Sequence, residues 1–211
     1  MTQPTIDHRD LMLATPGKLF SAPGWIYELK MDGFRCLISK SRKVVRLESR
    51  NGNNMADRFP ELVAELQPIP HDFVADAELV ILDETGCPQW TRLKKRHAQR
   101  STDRVRRAAI EDPAALFLFD LLWLNAADLR ARTLLERKSA LHGIVPGNRR
   151  IRYTNHFADS SAELWSLANE LELEGLMAKR ADSIYTAGRS NSWQKIKTDV
   201  GAARERARRP K

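Results

Sequence analysis

The chain has 211 residues, with 35 Lys and Arg against 27 Asp and Glu, and therefore a formal net charge of +8. This length suits one large domain or two small ones, and the hydrophobic fraction of 42% is ordinary for a globular protein, which argues against wholesale disorder. The longest apolar stretch, residues 114–124, is interrupted by Asp120 and is too short to span a bilayer, and the polar N-terminus has no signal-peptide core. We therefore expect a protein of the cytoplasm that does not associate with membranes.

Most of the positive charge lies in two segments. Residues 92–107 carry a charge of +7 and residues 201–211 carry +4, so the rest of the chain sums to −3. Such runs are either solvated surface or contacts to a phosphate backbone, which require positive charge and no particular sequence. Charge by itself leaves both interpretations open.

The first predicted elements are short strands. Residues 25–31 and 34–38 are apolar-rich runs separated by Asp32 and Gly33, a dipeptide typical of tight hairpin turns. The pattern therefore predicts a β-hairpin, and a third strand is predicted at residues 44–47.

The middle of the chain mixes helix and strand patterns. Apolar residues recur at i, i+3, i+4 and i+7 over residues 59–66, which predicts a helix with one buried stripe. Residues 73–82 are rich in strand-forming residues, and residues 116–124 read as a strand buried on both faces.

Two further helices are predicted from capping boxes, in which a Ser or Thr is followed three residues later by a Glu. Thr133 with Glu136 predicts the start of one helix, and Ser160 with Glu163 predicts the other. Residues 176–180 and 193–197 then read as two more strands. Strands interspersed with helices, without regular alternation, indicate an α+β domain.

Charged residues share faces of three predicted strands, because alternate strand residues point the same way. These residues are Glu28, Lys30 and Asp32, then Asp76 and Glu78, then Lys195 and Lys197 beside Trp193. Any one such face is ordinary on a solvent-exposed strand, but several in one domain can line a common groove.

A groove that holds both lysines and carboxylates suits a nucleoside triphosphate, since cations meet the phosphates and carboxylates bind a divalent metal. A lysine there can also be a nucleophile if neighbouring positive charge lowers its pKa and leaves a free amine. The sequence has no GxxxxGK[ST] loop, which argues against a P-loop NTPase.

Residues 30–35, KMDGFR, resemble the KxDGxR signature of covalent nucleotidyltransferases, which comprise ATP-dependent DNA ligases, RNA ligases and mRNA capping enzymes. Segments similar to the later family motifs follow in the family order, at residues 49–52 with 59–60, 76–79, 119–122, 174–180, and 188–190 with 193–197. The resemblance runs from about Met12 to Lys197. On these motifs the chain is identified as a member of the ATP-dependent DNA ligases, and it most resembles the ligase domain of bacterial end-joining enzymes.

The resemblance implies an α+β nucleotidyltransferase adenylation domain, ATP-grasp-like, with antiparallel sheets flanked by helices and an ATP groove between them. We expect this domain over residues 1–200 and a basic tail over residues 201–211. Family ligases continue into an OB-fold lobe with a basic sixth motif. Since this chain ends 14 residues after Lys197, we expect no OB-fold lobe in it.

The resemblance also implies roles at the nucleotide. Lys30 would attack the α-phosphate of ATP, expel pyrophosphate and become a lysyl–AMP phosphoramidate. Glu28 and Phe119 would hold the adenine, Phe119 by stacking on its face. Arg35 and Arg50 would contact the ribose and phosphates, or the incoming DNA phosphate.

Further roles are implied at the phosphates. Glu78 and Glu174 would place Mg²⁺ or Mn²⁺, with Glu78 also at the nucleotide. Lys179, Lys195 and Lys197 would neutralise the phosphates as charge develops on the leaving pyrophosphate.

AMP would then pass to the 5′-phosphate at a nick, and the adjacent 3′-hydroxyl would displace it. We accordingly expect a DNA ligase acting in DNA repair on nicked double-stranded DNA, as a monomer, with other end-joining or repair proteins as candidate partners. The expected location is the bacterial cytoplasm, at the nucleoid during repair. Alternatives are an RNA ligase or capping-type nucleotidyltransferase, or a non-catalytic DNA-binding accessory with the same fold.

Overall fold

A computed structural model describes residues 5–208, and in these the chain forms eleven strands and six α-helices. The strands are β1 Met12–Pro16, β2 Trp25–Lys30, β3 Phe34–Ser41, β4 Val44–Ser49, β5 Phe73–Ile81, β6 Ala114–Leu124, β7 Ala127–Asp128, β8 Ile151–Tyr153, β9 Phe157–Ala158, β10 Gly175–Arg180 and β11 Gly188–Lys197. The helices are α1 Pro60–Leu66, α2 Trp90–His97, α3 Thr102–Glu111, α4 Leu134–Ile144, α5 Ser161–Glu170 and α6 Asp199–Arg208. None of these helices is long and apolar enough to cross a membrane.

The strands form two sheets. The first has the order β1-β11-β10-β2-β9, and the second has the order β4-β3-β5-β6-β7 with β8 paired to β6. Neighbouring strands are antiparallel except for β1 with β11 and β6 with β8. This arrangement confirms the predicted α+β fold with antiparallel sheets and flanking helices.

The predicted hairpin over β2 and β3 is wrong. Strand β2 pairs with β9 and β10, whereas β3 pairs with β4 and β5, so Asp32 and Gly33 carry the chain from one sheet to the other. A Cβ at Gly33 would overlap the backbone carbonyl of Leu79, so glycine is required there by the close approach of β5. As a result Lys30, at the end of β2, lies where the two sheets meet.

The remaining element predictions are largely confirmed, because the patterns that carry them are local. Helix α1 and strands β4, β5, β6, β10 and β11 lie where they were expected. At Thr133 the capping box forms, with the Glu136 carboxylate accepting from the Thr133 N–H at 2.8 Å. At Ser160 it does not form, since the Ser160 hydroxyl donates instead to the Ala158 carbonyl at 3.2 Å, although α5 does begin at Ser161.

The core has three parts. Phe59, Phe73 and Leu116 belong to the cluster of the second sheet and its helices. A second cluster, with Met12 and Trp193, joins elements of both sheets, and a third lies around α5. The second cluster therefore fixes the two sheets against each other beside Lys30.

The basic run at residues 92–107 is folded into α2 and α3. Arg96 is buried, and its guanidinium donates to the Glu61 carboxylate at 2.8 Å and to the carbonyls of Ala108 and Asp112 at 2.8 and 2.7 Å. This cation thus ties α2 to α3 and α1. The sequence alone did not distinguish the buried Arg96 from the exposed cations of the same run.

The tail predicted over residues 201–211 is described as far as residue 208. Its first eight residues belong to α6, which begins at Asp199, so the boundary expected at residue 200 falls inside a helix. The remainder of the predicted tail lies outside the described residues.

Candidate active site

A groove of about 540 Å³ runs between the two sheets, and we call it the outer groove. Seven of the predicted site residues line it, namely Lys30, Arg35, Arg50, Glu78, Glu174, Lys195 and Lys197. A smaller cavity, the inner cavity, shares Lys30, Arg35 and Glu78 with the groove and is also lined by the predicted residues Glu28, Phe119 and Lys179. All of the predicted site residues therefore lie along one continuous depression.

Lys30 stands at the junction of the groove and the cavity. Its Nζ lies 2.9 Å from Oε2 of Glu174, whose other oxygen lies 3.0 Å from Nζ of Lys197. Strand register explains the contact, because Gly175 is directly opposite Lys30. A side chain at Gly175 would overlap the Ile196 backbone, and its φ of +145° is one that other residues rarely adopt.

The charge state of Lys30 is set by the carboxylates around it. Burial opposes its charge, but the Glu174 carboxylate and then that of Glu78 outweigh burial, and the pKa of Lys30 is raised. The condition of a pKa lowered by neighbouring cations is therefore not met in this state, because the nearest charged groups are carboxylates. At neutral pH Lys30 is an ammonium, which must lose a proton before it can attack.

The carboxylates of Glu78 and Glu174 are the oxygen donors beside Lys30. Burial raises the pKa of Glu78 to about 7, against the opposing effect of Lys30 and Arg35. Residues 5–208 contain no group of three or more His, Cys, Asp and Glu side chains arranged to hold a metal. The pair fits a hard divalent ion that takes its other ligands from water and substrate phosphates, which is the habit of Mg²⁺.

Arg35 is held rigidly between the groove and the cavity. Its guanidinium makes a two-pronged ion pair with Asp76, and it also donates to the Met12 carbonyl at 3.0 Å. The Tyr185 hydroxyl donates to the same Asp76 carboxylate at 2.6 Å, and the guanidinium lies 4.9 Å from the centre of the Phe119 ring. Asp76 was recognised as part of a charged face, but only the structure gives it this positioning role.

The inner cavity is aromatic and contains Lys179. The Lys179 Nζ lies 4.3 Å from the ring centres of both Phe119 and Trp193, and 2.6 Å from Oε2 of Glu28. Burial lowers the pKa of Lys179. The position does not support the role expected for Lys179 among the phosphate-neutralising cations, because it lies at the aromatic end of the site.

The inner cavity also has polar atoms without partners. Within the part of the chain that the structure describes, the buried Oγ1 of Thr154 and Nε1 of Trp193 make no hydrogen bond, and both residues line the cavity. Buried polar groups are normally paired. A flat base with hydrogen-bonding edges therefore fits this cavity.

Several site residues were missed by the sequence reasoning. Lys138 of α4 does not itself line the inner cavity, but it pairs with Glu28, which does. One available signal was its spacing, since Lys138 falls four residues after Leu134 and three before Leu141, on the apolar face of the helix. A lysine on a buried face needs a partner.

Helix α6 closes one side of the outer groove. Its Glu205 lies 3.0 Å from the Lys197 Nζ, and its Arg208 makes a two-pronged ion pair of 2.7 Å with Asp32. No motif in the sequence pointed to these contacts. The outer groove is thus lined by Lys30, Lys195 and Lys197, and also by Glu205, an acidic residue of the predicted tail.

Comparison with known proteins agrees with this geometry. Residues 12–197 match the family described as the ATP dependent DNA ligase domain. The chain is 33% identical over 179 residues to the multifunctional non-homologous end joining protein LigD of Pseudomonas aeruginosa, covering 83% of this chain and 20% of that protein. It is 32% identical over 175 residues to DNA ligase B of Mycobacterium tuberculosis, covering 82% of this chain and 34% of that protein.

Two solved structures are similar. One is a mycobacterial DNA ligase D complexed with ATP and MES, with a TM-score of 0.76 and 28% identity over 90% of this chain and 60% of that one. The other is the ligase domain of M. tuberculosis LigD, with a TM-score of 0.75 and 29% identity at the same coverage. The chain spans about a fifth to a third of the length of the curated relatives named above. With its motifs in the family order and its site residues along one groove, the chain belongs to the ATP-dependent DNA ligase domain family.

Proposed function

We propose that this chain is the adenylation domain of an ATP-dependent DNA ligase of the end-joining type, and that it forms a covalent lysyl–AMP. The observation that carries the proposal is the position of Lys30, where an aromatic cavity that fits a base meets a groove lined by cations and carboxylates. A nucleotide lying along this depression has its α-phosphate beside Lys30. Relatives named DNA ligase favour this function over that of an RNA ligase or a capping enzyme.

In the proposed first step the unprotonated Nζ of Lys30 attacks the α-phosphorus. The new P–N bond forms as the bond to the oxygen bridging to the β-phosphate breaks, and pyrophosphate leaves with the electron pair. The ammonium proton passes beforehand to water, to which the Lys30 side chain is 20% exposed. Positioning Lys30 in line with the leaving group supplies much of the rate.

Charge neutralisation is the second contribution of the site. Lys195 and Lys197 line the outer groove and would meet the β- and γ-phosphates. Burial, followed by the charge of Lys197, lowers the pKa of Lys195, and an anionic ligand in the groove would raise that pKa again. Glu78 and Glu174 would hold Mg²⁺ or Mn²⁺, which when bound stabilises the charge on the leaving pyrophosphate.

The proposed substrate of the later steps is nicked double-stranded DNA. AMP passes from Lys30 to the 5′-phosphate, and the 3′-hydroxyl then displaces AMP. The α2–α3 pair supports this proposal through six exposed cations that form no ion pair in residues 5–208, namely Lys94, Lys95, Arg100, Arg104, Arg106 and Arg107. We call these six the basic face. His97 of α2 lines the outer groove, so the basic face adjoins the site.

The setting of this activity follows from the relatives, which are bacterial end-joining and ligase proteins. We propose that the chain acts in the bacterial cytoplasm at the nucleoid, as a monomer, and together with other end-joining or repair proteins.

The test is covalent labelling. The protein is incubated with ATP labelled at the α-phosphate and with Mg²⁺ or Mn²⁺, and label on the denatured protein is counted. We expect label on the native chain, none on Lys30→Ala, and undiminished label on Lys43→Ala, which removes an exposed lysine between β3 and β4. Equal labelling of the native chain and Lys30→Ala would show that Lys30 is not the residue that forms the covalent bond to AMP.

Labelling with GTP, sealing assays and DNA binding separate the alternatives. Label from GTP in preference to ATP would favour a capping-type enzyme, and sealing of RNA in preference to DNA would favour an RNA ligase. A protein that binds nicked DNA but takes no label with either metal would be the non-catalytic accessory.

A further inference from the structure

Glu28 is held between two buried lysines in the wall of the inner cavity. Its Oε1 lies 2.5 Å from Nζ of Lys138, and its Oε2 lies 2.6 Å from Nζ of Lys179. Only 2% of Glu28, 0% of Lys138 and 1% of Lys179 are exposed. Burial alone would raise the pKa of Glu28, but Lys138 and then Lys179 outweigh it and hold that pKa below its ordinary value.

Lys138 contacts three parts of the cavity at once. Besides Glu28, its ammonium donates to the backbone carbonyl of Thr154 at 3.0 Å and to that of Phe119 at 3.4 Å. Glu28, Thr154 and Phe119 all line the inner cavity, and they come from β2, the segment after β8, and β6. The Lys138 ammonium therefore links three residues of the cavity lining, namely Glu28, Phe119 and Thr154.

A buried ion pair contributes little net stability, because desolvation of both charges offsets their attraction. The arrangement does, however, keep Glu28 ionised at the cavity wall. An ionised carboxylate only accepts hydrogen bonds, so it pairs with a base edge that carries an amino group and repels an edge that carries a carbonyl oxygen. A site built around a buried acceptor rejects a ligand that leaves the acceptor unpaired.

We propose that Lys138 is a positioning residue that sets the base selectivity of this site, by holding Glu28 as the acceptor for the exocyclic amino group of adenine. The inference rests on the proposed function, since it assumes that the base of the reacting nucleotide enters the inner cavity. Lys138 does not touch the reacting phosphates and acts through Glu28. Its removal leaves Glu28 paired with Lys179 alone and without the link to the carbonyls of Thr154 and Phe119.

The test compares nucleotides that differ at one group. Self-adenylation is measured with ATP, with purine riboside triphosphate, which lacks only the 6-amino group, and with GTP. For the native chain we expect kcat/KM to be at least tenfold higher for ATP than for either analogue. For Lys138→Met we expect KM for ATP to rise about tenfold while KM for purine riboside triphosphate changes little, so that the preference for the amino group collapses.

The matched control is Lys40→Met. Lys40 is also a buried lysine, 2% exposed, and it donates to the His71 carbonyl at 2.9 Å without lining the groove or the cavity. We expect this variant to keep the native preference between the two nucleotides. If Lys40→Met loses the preference for ATP over purine riboside triphosphate as fully as Lys138→Met does, the loss is due to reduced stability and the inference is overturned.

The outcomes separate the inference from the proposed function. No label on the native chain with any nucleotide would overturn the proposed function. A labelled native chain together with a folded Lys138→Met of unchanged preference would overturn the role of Lys138 alone. If Lys138→Met does not fold, Lys138→Gln keeps a polar side chain without the charge, and an unchanged preference in that folded variant would also overturn the inference.

Discussion

At the scale of single residues, the carboxylates of the site are stabilised by neighbouring cations and destabilised by burial. Glu174 forms ion pairs with both Lys30 and Lys197, and the half-buried Glu78 has a pKa of about 7. A carboxyl whose pKa is raised above its ordinary value of 4.5 binds more protons in the folded state than in the unfolded state. Glu78 therefore costs stability increasingly as the pH rises from about 4.5 to 7.

This cost gives a pH-dependent prediction for Glu78→Gln. In the absence of divalent ions we expect the variant to be more stable than the native chain at pH 8, by at most about 3 kcal/mol for a shift of this size. The gain should vanish well below pH 4.5, where Glu78 is protonated in both states. Thermal melts at several pH values measure the gain, and labelling with ATP should disappear.

The control for Glu78→Gln is Glu84→Gln, which changes an exposed carboxylate and should leave the melting temperature within about a degree. A Glu78→Gln protein that is less stable than the native chain at pH 8 would mean that attraction to Lys30 and Arg35 exceeds the cost of burial.

At the scale of elements, α6 shows how a basic segment becomes part of the site. The Thr198 hydroxyl accepts from the Gly201 N–H at 3.0 Å and so caps the helix. A side chain at Gly201 would overlap the Glu174 backbone, so glycine lets the helix lie close to the outer groove. Glu205 and Arg208 are three residues apart on one face and meet Lys197 and Asp32 respectively.

The proximity of Glu205 to Lys197 predicts competition with ATP, because a triphosphate needs the same lysine. We expect Glu205→Gln to lower the KM for ATP in self-adenylation by up to about fivefold, since an ion pair this exposed contributes at most about 1 kcal/mol. Initial rates of labelling at increasing ATP measure the change.

The control for Glu205→Gln is Arg206→Gln, which alters an exposed residue of the same helix. It should leave the KM for ATP unchanged. An unchanged or higher KM in Glu205→Gln would show that Glu205 does not compete with the nucleotide.

At the scale of the whole molecule, the net charge of +8 is unevenly placed. Two cations of the basic run are paired internally, Arg92 with Asp112 and Arg96 with Glu61, and two of α6 are paired with Glu172 and Asp32. The remaining cations of the run form the basic face, on α2, on α3 and in the loop between them. We therefore expect the basic face to supply most of the salt-dependent attraction to DNA.

Replacing Lys94, Lys95, Arg104 and Arg107 together by Ala should weaken binding to nicked DNA. For each DNA phosphate that the protein no longer neutralises, the slope of log K against log salt should become shallower by about 0.9, because fewer counterions are released. Binding is measured by fluorescence anisotropy across a salt series, and self-adenylation should be unchanged.

The control for the basic face is the pair Lys43→Ala and Arg46→Ala, which removes exposed cations beside and within β4. It should leave the slope nearly unchanged. An equal weakening in the two variants would mean that DNA is attracted by net charge and not by the basic face.

Much of this molecule was predictable from sequence because the relevant interactions are short in range. The apolar spacing of α1, the continuous apolar run of β6 and the capping box at Thr133 are each settled by neighbours within a few residues. The motif segments likewise identified the family and the residues that line the groove. The apolar patterns of α1 and β6 predict these elements in any fold that buries their apolar faces.

Other features were decided only by tertiary structure, because they depend on residues far apart along the chain. The hairpin predicted at Asp32 and Gly33 does not form, because β2 and β3 pair with strands that are distant in the sequence. Glu28 and Lys138 are 110 positions apart, and Asp32 and Arg208 are 176 apart. Sequence determined most of these elements, the family and the motif residues that line the groove, while the fold decided how those charges pair and which further residues join them, since burial and Coulomb interaction depend on distance in space.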